Sequence, residues 1–153
     1  MNGIDVQAKG VRRPRWAAGF SSFLRGALGE MRVRNWEVSV LLCNDAVMKD
    51  LNRRYRGRNE STDVLSFRQA DGGTQGHAGT AGDIVISLDT LRRNAAAMGV
   101  SEEEELKRLG VHGLLHLAGM DHGPGKGGAM LALQERIVER LAGARIGAGR
   151  SRR

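Results

Sequence analysis

Between Trp36 and Ala118 two kinds of hydrophobic spacing alternate along the chain, and that alternation limits its possible folds more than any other feature. Trp36, Val38, Val40 and Leu42 recur at every second residue, which predicts a strand. A helix is expected over 46–56, with Val47, Met48, Leu51 and Tyr55 on its buried side and Asn44 or Asp45 as its cap. Thr62–Phe67 predicts a short strand. Asp83–Leu88, with Ile84, Val85 and Ile86 in a row, predicts a central one. Asp89 or Thr90 starts a helix through about Met98, which Gly99 ends. Ser101 and Glu104 form a capping box that opens a helix running to about Ala118. Two more amphipathic helices are expected over Pro14–Leu28 and about 129–142. Strands separated by amphipathic helices imply one sheet packed against helices.

A length of 153 residues suits a single domain that needs no disulfide or structural metal. The ordered core is expected over about 14–142. Residues 1–13 read as a loose basic leader. Residues 143–153 read as a flexible tail, carrying Arg145, Arg150, Arg152 and Arg153 and no acid. The Gly-, Ala- and Thr-rich stretch 70–82 reads as a flexible loop. The first 15 residues hold no hydrophobic stretch of the kind a secretory signal has. No apolar run approaches the roughly 18 residues of a membrane span. The one cysteine, Cys43, lies in an apolar run and should pack as a small core residue. It excludes an intramolecular disulfide and a multi-cysteine zinc site, and fits a reducing, cytoplasmic setting.

Lys and Arg total 24 against 17 for Asp and Glu, a formal charge of +7. Lysines are confined to Lys9, Lys49, Lys107 and Lys126, so arginine, which binds phosphate bidentately, carries most of the positive charge. That balance suits a polyanion such as nucleic acid. An Arg-rich composition from genomic bias gives the same arithmetic. Aromatic residues are sparse, which argues against an extended base-stacking platform.

Three of the four histidines, His112, His116 and His122, fall close together; His77 lies in the Gly-rich loop and reads as solvated. His112 and His116 are four residues apart on a predicted helix, so they share a face one turn apart. Gly119 allows a sharp turn, after which His122 can return as a third ligand. Three ligands that leave a fourth position open are the catalytic rather than the structural zinc pattern. The full spacing, His-x3-His-x2-Gly-x2-His, is that of metzincin proteases. Those enzymes carry a glutamate base directly after the first histidine; here that residue is Gly113, so the usual route of peptide hydrolysis lacks its base. Asp121 suits either an acceptor for a ligand ring or a turn. Separately, Arg53, Arg54, Arg56 and Arg58 crowd the end of the helix over 46–56. They read either as a solvated helix terminus or as a phosphate clamp.

Three segments together resemble the YbeY-type endoribonucleases. The first is His112-Gly113-Leu114-Leu115-His116-Leu117-Ala118-Gly119-Met120-Asp121-His122. The second is Leu51-Asn52-Arg53-Arg54-Tyr55-Arg56 followed by Thr62-Asp63-Val64-Leu65-Ser66-Phe67, and the third is Gly82-Asp83-Ile84-Val85-Ile86. The resemblance covers about residues 36–141. It implies a single-domain α+β fold, a small mixed sheet packed against several helices, with the histidine motif on and just after a central helix. It implies a metal-dependent, single-strand-specific endoribonuclease in ribosomal RNA maturation, at the small-subunit 3′ end, and in ribosome quality control. Its partners would be ribosomal RNA and the ribosome or ribosomal proteins, with no membrane. Its metal ligands fall on His112, His116 and His122, and its functional arginine on Arg56. There are departures. Met120 replaces a usual Tyr, Arg68 stands where Pro is common, and Gly123–Gly128 replaces an acid-rich segment, which makes the rim more positive.

On this reading one zinc ion, or another divalent transition metal such as nickel, copper or iron, polarises a phosphoryl oxygen or activates water. Arg56 stabilises charge developing at phosphorus, and Arg53, Arg54, Arg58 and Arg68 hold flanking phosphates. No base is assigned; Asp63 and Asp121 are candidates by motif alone. Two other classes stay open: a metzincin-like metallohydrolase acting on peptides, and a non-catalytic ribosome-assembly factor with a structural metal.

Overall fold

The computed structural model describes residues 1–69, 79–120 and 127–149. In chain order the elements are β1 (Gly3–Lys9), α1 (Ala17–Glu30), β2 (Trp36–Cys43), α2 (Asp45–Arg56), β3 (Val64–Arg68), β4 (Gly79–Ser87), α3 (Leu88–Met98), α4 (Glu102–Leu117) and α5 (Gly127–Arg140). The strands make one sheet in the order β1-β2-β4-β3. β1 and β4 run parallel to β2, and β3 runs antiparallel to β4. This is an α+β architecture with a mixed sheet.

Strand alternation sorts the core onto two faces. Val38, Val40 and Leu42 of β2 and Ile84 and Ile86 of β4 share a core with α1, α4 and α5, through Phe20, Leu24, Leu106, Leu114, Met130 and Ile137. Cys43 and Val85 point to the opposite face, where Met48 of α2 covers them. Burial, reinforced by the charges of Asp45 and Asp89, pushes the Cys43 thiol up to about 12. Cys43 thus packs as an apolar side chain.

Helix caps mostly follow the sequence signals. Asn44 Oδ1 accepts from the Val47 N–H at 2.9 Å, and Ser101 Oγ from the Glu104 N–H at 3.0 Å. The cap of α3 is Ser87, not Asp89 or Thr90. Both of those side chains are drawn to the start of α2: Asp89 Oδ2 accepts from the Asp45 N–H at 3.0 Å, and Thr90 Oγ1 donates to Asp45 Oδ1 at 2.7 Å.

Both chain ends depart from the expected loose tails. Residues 3–9 are an edge strand with Val6 buried. Ser21 Oγ donates to the Ile4 carbonyl and Arg13 Nε to the Val6 carbonyl, both at 3.0 Å. At the other end Ile146 is buried, and the Glu103 carboxylate accepts from the N–H groups of Ile146, Gly147 and Ala148. Residues 150–153 lie outside the described residues. The loop expected over 70–82 is shorter than that, because 79–82 belong to β4; residues 70–78, with His77, lie outside the described residues. Gly82 adopts φ +150° at a bulge in β4, where a Cβ would collide with the Phe67 carbonyl.

Asp45 ties α2 to β4, α3 and the segment before β3. Its Oδ1 accepts from Ser61 Oγ at 2.9 Å and from Ser87 Oγ and Thr90 Oγ1 at 2.7 Å, and Arg93 Nη2 lies 2.8 Å from Oδ2. Desolvation by itself would raise its pKa. The donors from Thr90, Ser87, Arg93 and Ser61 outweigh that and hold the carboxyl well below the usual carboxylate range. A depressed folded-state pKa gives stability that is complete above the unfolded value, about 3.9, and is lost as pH falls toward the folded one. Urea unfolding from pH 7 to pH 3 should therefore show Asp45→Asn less stable than wild type at neutral pH, with the gap narrowing in acid. A gap independent of pH would mean that the charge of Asp45 does not matter.

Candidate active site

The site depends on how closely α4 lies on its neighbours. A Cβ at Gly110 would fall 2.8 Å from Leu24 Cδ2 and 2.9 Å from Phe20 Cζ; one at Gly113 would fall 2.9 Å from Ile84 Cδ1. The two glycines thus let α4 sink between α1 and the sheet. One edge of the helix is left at the rim of the core, and there His112 and His116 sit half-buried. Their Nε2 atoms are 3.2 Å apart and their rings meet at 73°.

One ring nitrogen of the pair has a defined partner. His112 Nδ1 lies 2.8 Å from Gln134 Oε1 of α5. Gln134 is itself buried, and its Nε2 donates to Glu135 Oε2 at 3.2 Å, which orients the amide. An amide oxygen only accepts, so His112 Nδ1 is the donor. In the neutral ring the Nε2 lone pair is then left facing His116.

A cleft of about 620 Å³ opens beside the pair. Its walls include Arg56, Ser66, Phe67, Arg68 and Met120. Arg56 is the last residue of α2, which Gly57 ends at φ +70°. Its Nη2 donates to the Ser66 carbonyl at 2.6 Å, and its guanidinium lies 5.1 Å from the centre of the Phe67 ring. Arg68, at the end of β3, is exposed. Arg53 and Arg54 turn to Asp50, at 2.6 and 3.0 Å, and Arg58 to Glu60 at 4.0 Å. Asp63 accepts from Asn94 Nδ2 of α3 at 3.2 Å and is not among the described residues that line the cleft.

After α4 the chain turns back as the sequence suggests. Gly119 takes φ +96°, its N–H donates to the His116 carbonyl at 2.9 Å, and the Met120 N–H donates to the Leu115 carbonyl at 3.0 Å. These are the paired bonds of a Schellman turn. The expected third ligand, His122, and Asp121 lie outside the described residues. Among the described residues no group of three His, Cys, Asp or Glu side chains gathers around one point.

The donors present fit a transition-metal ion. Nitrogen ligands about 2.0–2.1 Å from a tetrahedral zinc ion lie about 3.3–3.4 Å from each other, close to the 3.2 Å observed. The carbonyl partner of His112 Nδ1 is the support that a ligating imidazole ordinarily has. Gln134 was not among the residues expected from sequence. Its signal is a polar side chain within the apolar series Met130, Gln134, Ile137 of α5.

The chain is similar to known proteins along most of its length. Residues 4–142 match the family described as Endoribonuclease YbeY. A protein named Endoribonuclease YbeY from Treponema pallidum is 41% identical over 143 residues, 90% of this chain and 89% of the relative. One of the same name from Treponema denticola is 49% identical over 104 residues, 66% of this chain and 67% of the relative. A solution structure from Thermotoga maritima superposes with a TM-score of 0.67 at 26% identity, covering 92% of this chain and 89% of that one.

The seating of α4 can be tested alone. Gly113→Ala should lower stability to urea by about 1–3 kcal/mol through overpacking against Ile84, even though alanine favours a helix by about 1 kcal/mol over glycine. An equal or higher unfolding midpoint would show that the core has room to yield.

Proposed function

Because the chain belongs to the Endoribonuclease YbeY family, we propose that it is a metal-dependent endoribonuclease that cuts single-stranded RNA. Its work on this reading is maturation of the small-subunit ribosomal RNA 3′ end and ribosome quality control in the cytoplasm, alongside the ribosome or its proteins. The observation that carries the reading is the pair of imidazole nitrogens, 3.2 Å apart, in one cleft with Arg56 and Arg68.

His112 and His116 would hold the ion, with His122 as the third ligand. Met120, which lines the cleft, precedes His122 in the chain by two residues. Zinc suits three imidazoles; nickel, copper and iron also accept them. When bound, the ion supplies Lewis-acid activation of a phosphoryl oxygen or of water. Gln134 accepts from His112 Nδ1 and so makes Nε2 the atom that would bind the ion.

Arg56 spends one of its five donors on the Ser66 carbonyl. That bond fixes the guanidinium, and its remaining donors face charge growing on the phosphorane oxygens. Arg68 binds a neighbouring phosphate from the same cleft. Arg53, Arg54 and Arg58 are held by surface acids whose pairing is weak, so they contribute salt-sensitive attraction along the strand. Peptide hydrolysis finds less support: the position after the first histidine faces Ile84, and a carboxylate there would enter the core.

An RNA carrying both single-stranded and duplex segments tests this reading. The wild-type protein should cut the unpaired segments, and chelation or His116→Ala should abolish the cuts, with added metal restoring only the chelated protein. Arg56→Ala should lower kcat about 10²–10³-fold with little change in RNA affinity. Gln134→Leu should weaken metal binding about 10–100-fold, as read by competition with a chromophoric chelator. RNA binding without metal-dependent cuts would instead support a ribosome-assembly factor.

A further inference from the structure

Tyr55 is 62% exposed, although its neighbours on the buried side of α2 are covered. Exposed large hydrophobic side chains elsewhere among the described residues, Met1, Met98 and Leu131, lie away from the histidine cleft; Tyr55 lines it. It also lines the neighbouring groove over the open face of the sheet, between Leu41 and Val85, and so stands on the ridge between the two.

The ring is held in place as well as exposed. It meets Phe67 edge-on, with centroids 5.6 Å apart at 64°. The Arg54 guanidinium lies 5.7 Å from its centre, and Asp50 holds that arginine at 3.0 Å. Phe67 in turn carries the Arg56 guanidinium at 5.1 Å. The two rings, Tyr55 and Phe67, therefore lie between two guanidiniums, Arg54 beside Tyr55 and Arg56 beside Phe67, the latter at the site of the proposed chemistry. Guanidiniums at either end suit phosphates, and between them lies an oriented aromatic surface.

We propose that Tyr55 is a base-stacking subsite: it takes the face of one unpaired nucleobase of the RNA strand whose scissile phosphate reacts beside Arg56. This rests on the endoribonuclease reading of the cleft and adds the means by which single strands are chosen. In a duplex both faces of each base are covered by stacked neighbours. An unpaired nucleotide can turn a face to an aromatic side chain, and stacking of this kind tolerates any base. One tyrosine serves one nucleotide, which accords with the sparse aromatic content of the chain.

The experiment reads binding first. A short 2′-O-methyl oligonucleotide, which resists cleavage at the 2′-hydroxyl, is titrated by fluorescence anisotropy against wild type, Tyr55→Ala and Tyr55→Trp. Circular dichroism checks that each variant is folded. Tyr55→Ala should weaken binding about tenfold or more, and Tyr55→Trp should retain it. Oligonucleotides with a single abasic residue, walked along the strand, should include one on which wild type and Tyr55→Ala bind equally. Equal binding of wild type and Tyr55→Ala to the intact strand would overturn the proposal. A loss of the same size on every abasic strand would overturn it too, since it would show a structural role. Cleavage of the unmodified RNA is then measured separately. Tyr55-dependent binding without cleavage would leave the subsite standing and remove the endoribonuclease reading. Cleavage with Tyr55-independent binding would do the reverse.

Discussion

The contact between α4 and Ile84 of β4 governs most of what this molecule can do. A helix that carries two candidate ligands must be rigid, because a displacement of less than an ångström moves the nitrogens out of range of a shared ion. Rigidity here comes from burial. Gly110 and Gly113 remove the side chains that would hold α4 off, so Leu106, Leu114 and Leu115 are drawn fully into the core. His112 and His116 occupy the edge that remains. The same glycine that seats the helix also replaces the residue which, in a metalloprotease, would be the base.

Charge is arranged on a similar division. Asp45, which gathers three hydroxyls and Arg93, serves the architecture: it fixes the start of α2 and therefore the line along which Tyr55 and Arg56 are presented. Glu103 does comparable work on the C-terminal segment, where backbone N–H groups of Ile146 and Gly147, with Lys107, outweigh desolvation and lower its pKa. The surface arginines are different. Their pairs with Asp50 and Glu60 are largely exposed, and such pairs are worth little in water. They can exchange a carboxylate for a phosphate at small cost. The formal excess of positive charge is thus available to a polyanion, while the acids that matter to folding stay engaged within it.

Much of this was legible in the sequence because it rests on periodicity and on local signals. Alternation identified β2, and the run Ile84-Val85-Ile86 identified β4. The capping residues Asn44 and Ser101 and the terminating Gly99 and Gly119 each did what their chemistry suggests. The histidine pair was legible for the same reason, since a four-residue spacing on a helix fixes relative position. What escaped reading depends on distant contacts. β1 contains Ile4, Val6 and Ala8 at alternate positions, but amid polar residues so short a pattern is weak until β2 pairs with it. The segment ending at Gly149 is ordered by one buried isoleucine and one carboxylate more than forty residues earlier, and neither leaves a local pattern. Gln134 reaches His112 across twenty-two residues for the same reason. Ser87 displaced Asp89 and Thr90 as a cap because those side chains had partners on another helix.

The charge of the cleft separates two chemistries that share one histidine spacing. An amide is neutral, and its hydrolysis depends on a base that activates water; a carboxylate beside the first histidine meets that need. A phosphodiester already carries a negative charge, and more gathers on its oxygens as the nucleophile adds. Its barrier falls chiefly through cations and oriented donors. Among the described residues the cleft is lined by Arg56 and Arg68 and by no acid. Two arginines placed there would do little for an amide and would attract a phosphate. The exchange of glutamate for Gly113 is then consistent with the substrate as well as with the packing. A nucleophile can come from the 2′-hydroxyl of the RNA or from water, and in either case what the protein must contribute is positive charge held still. The Ser66 carbonyl does that for Arg56, and Gln134 does it for the ring of His112.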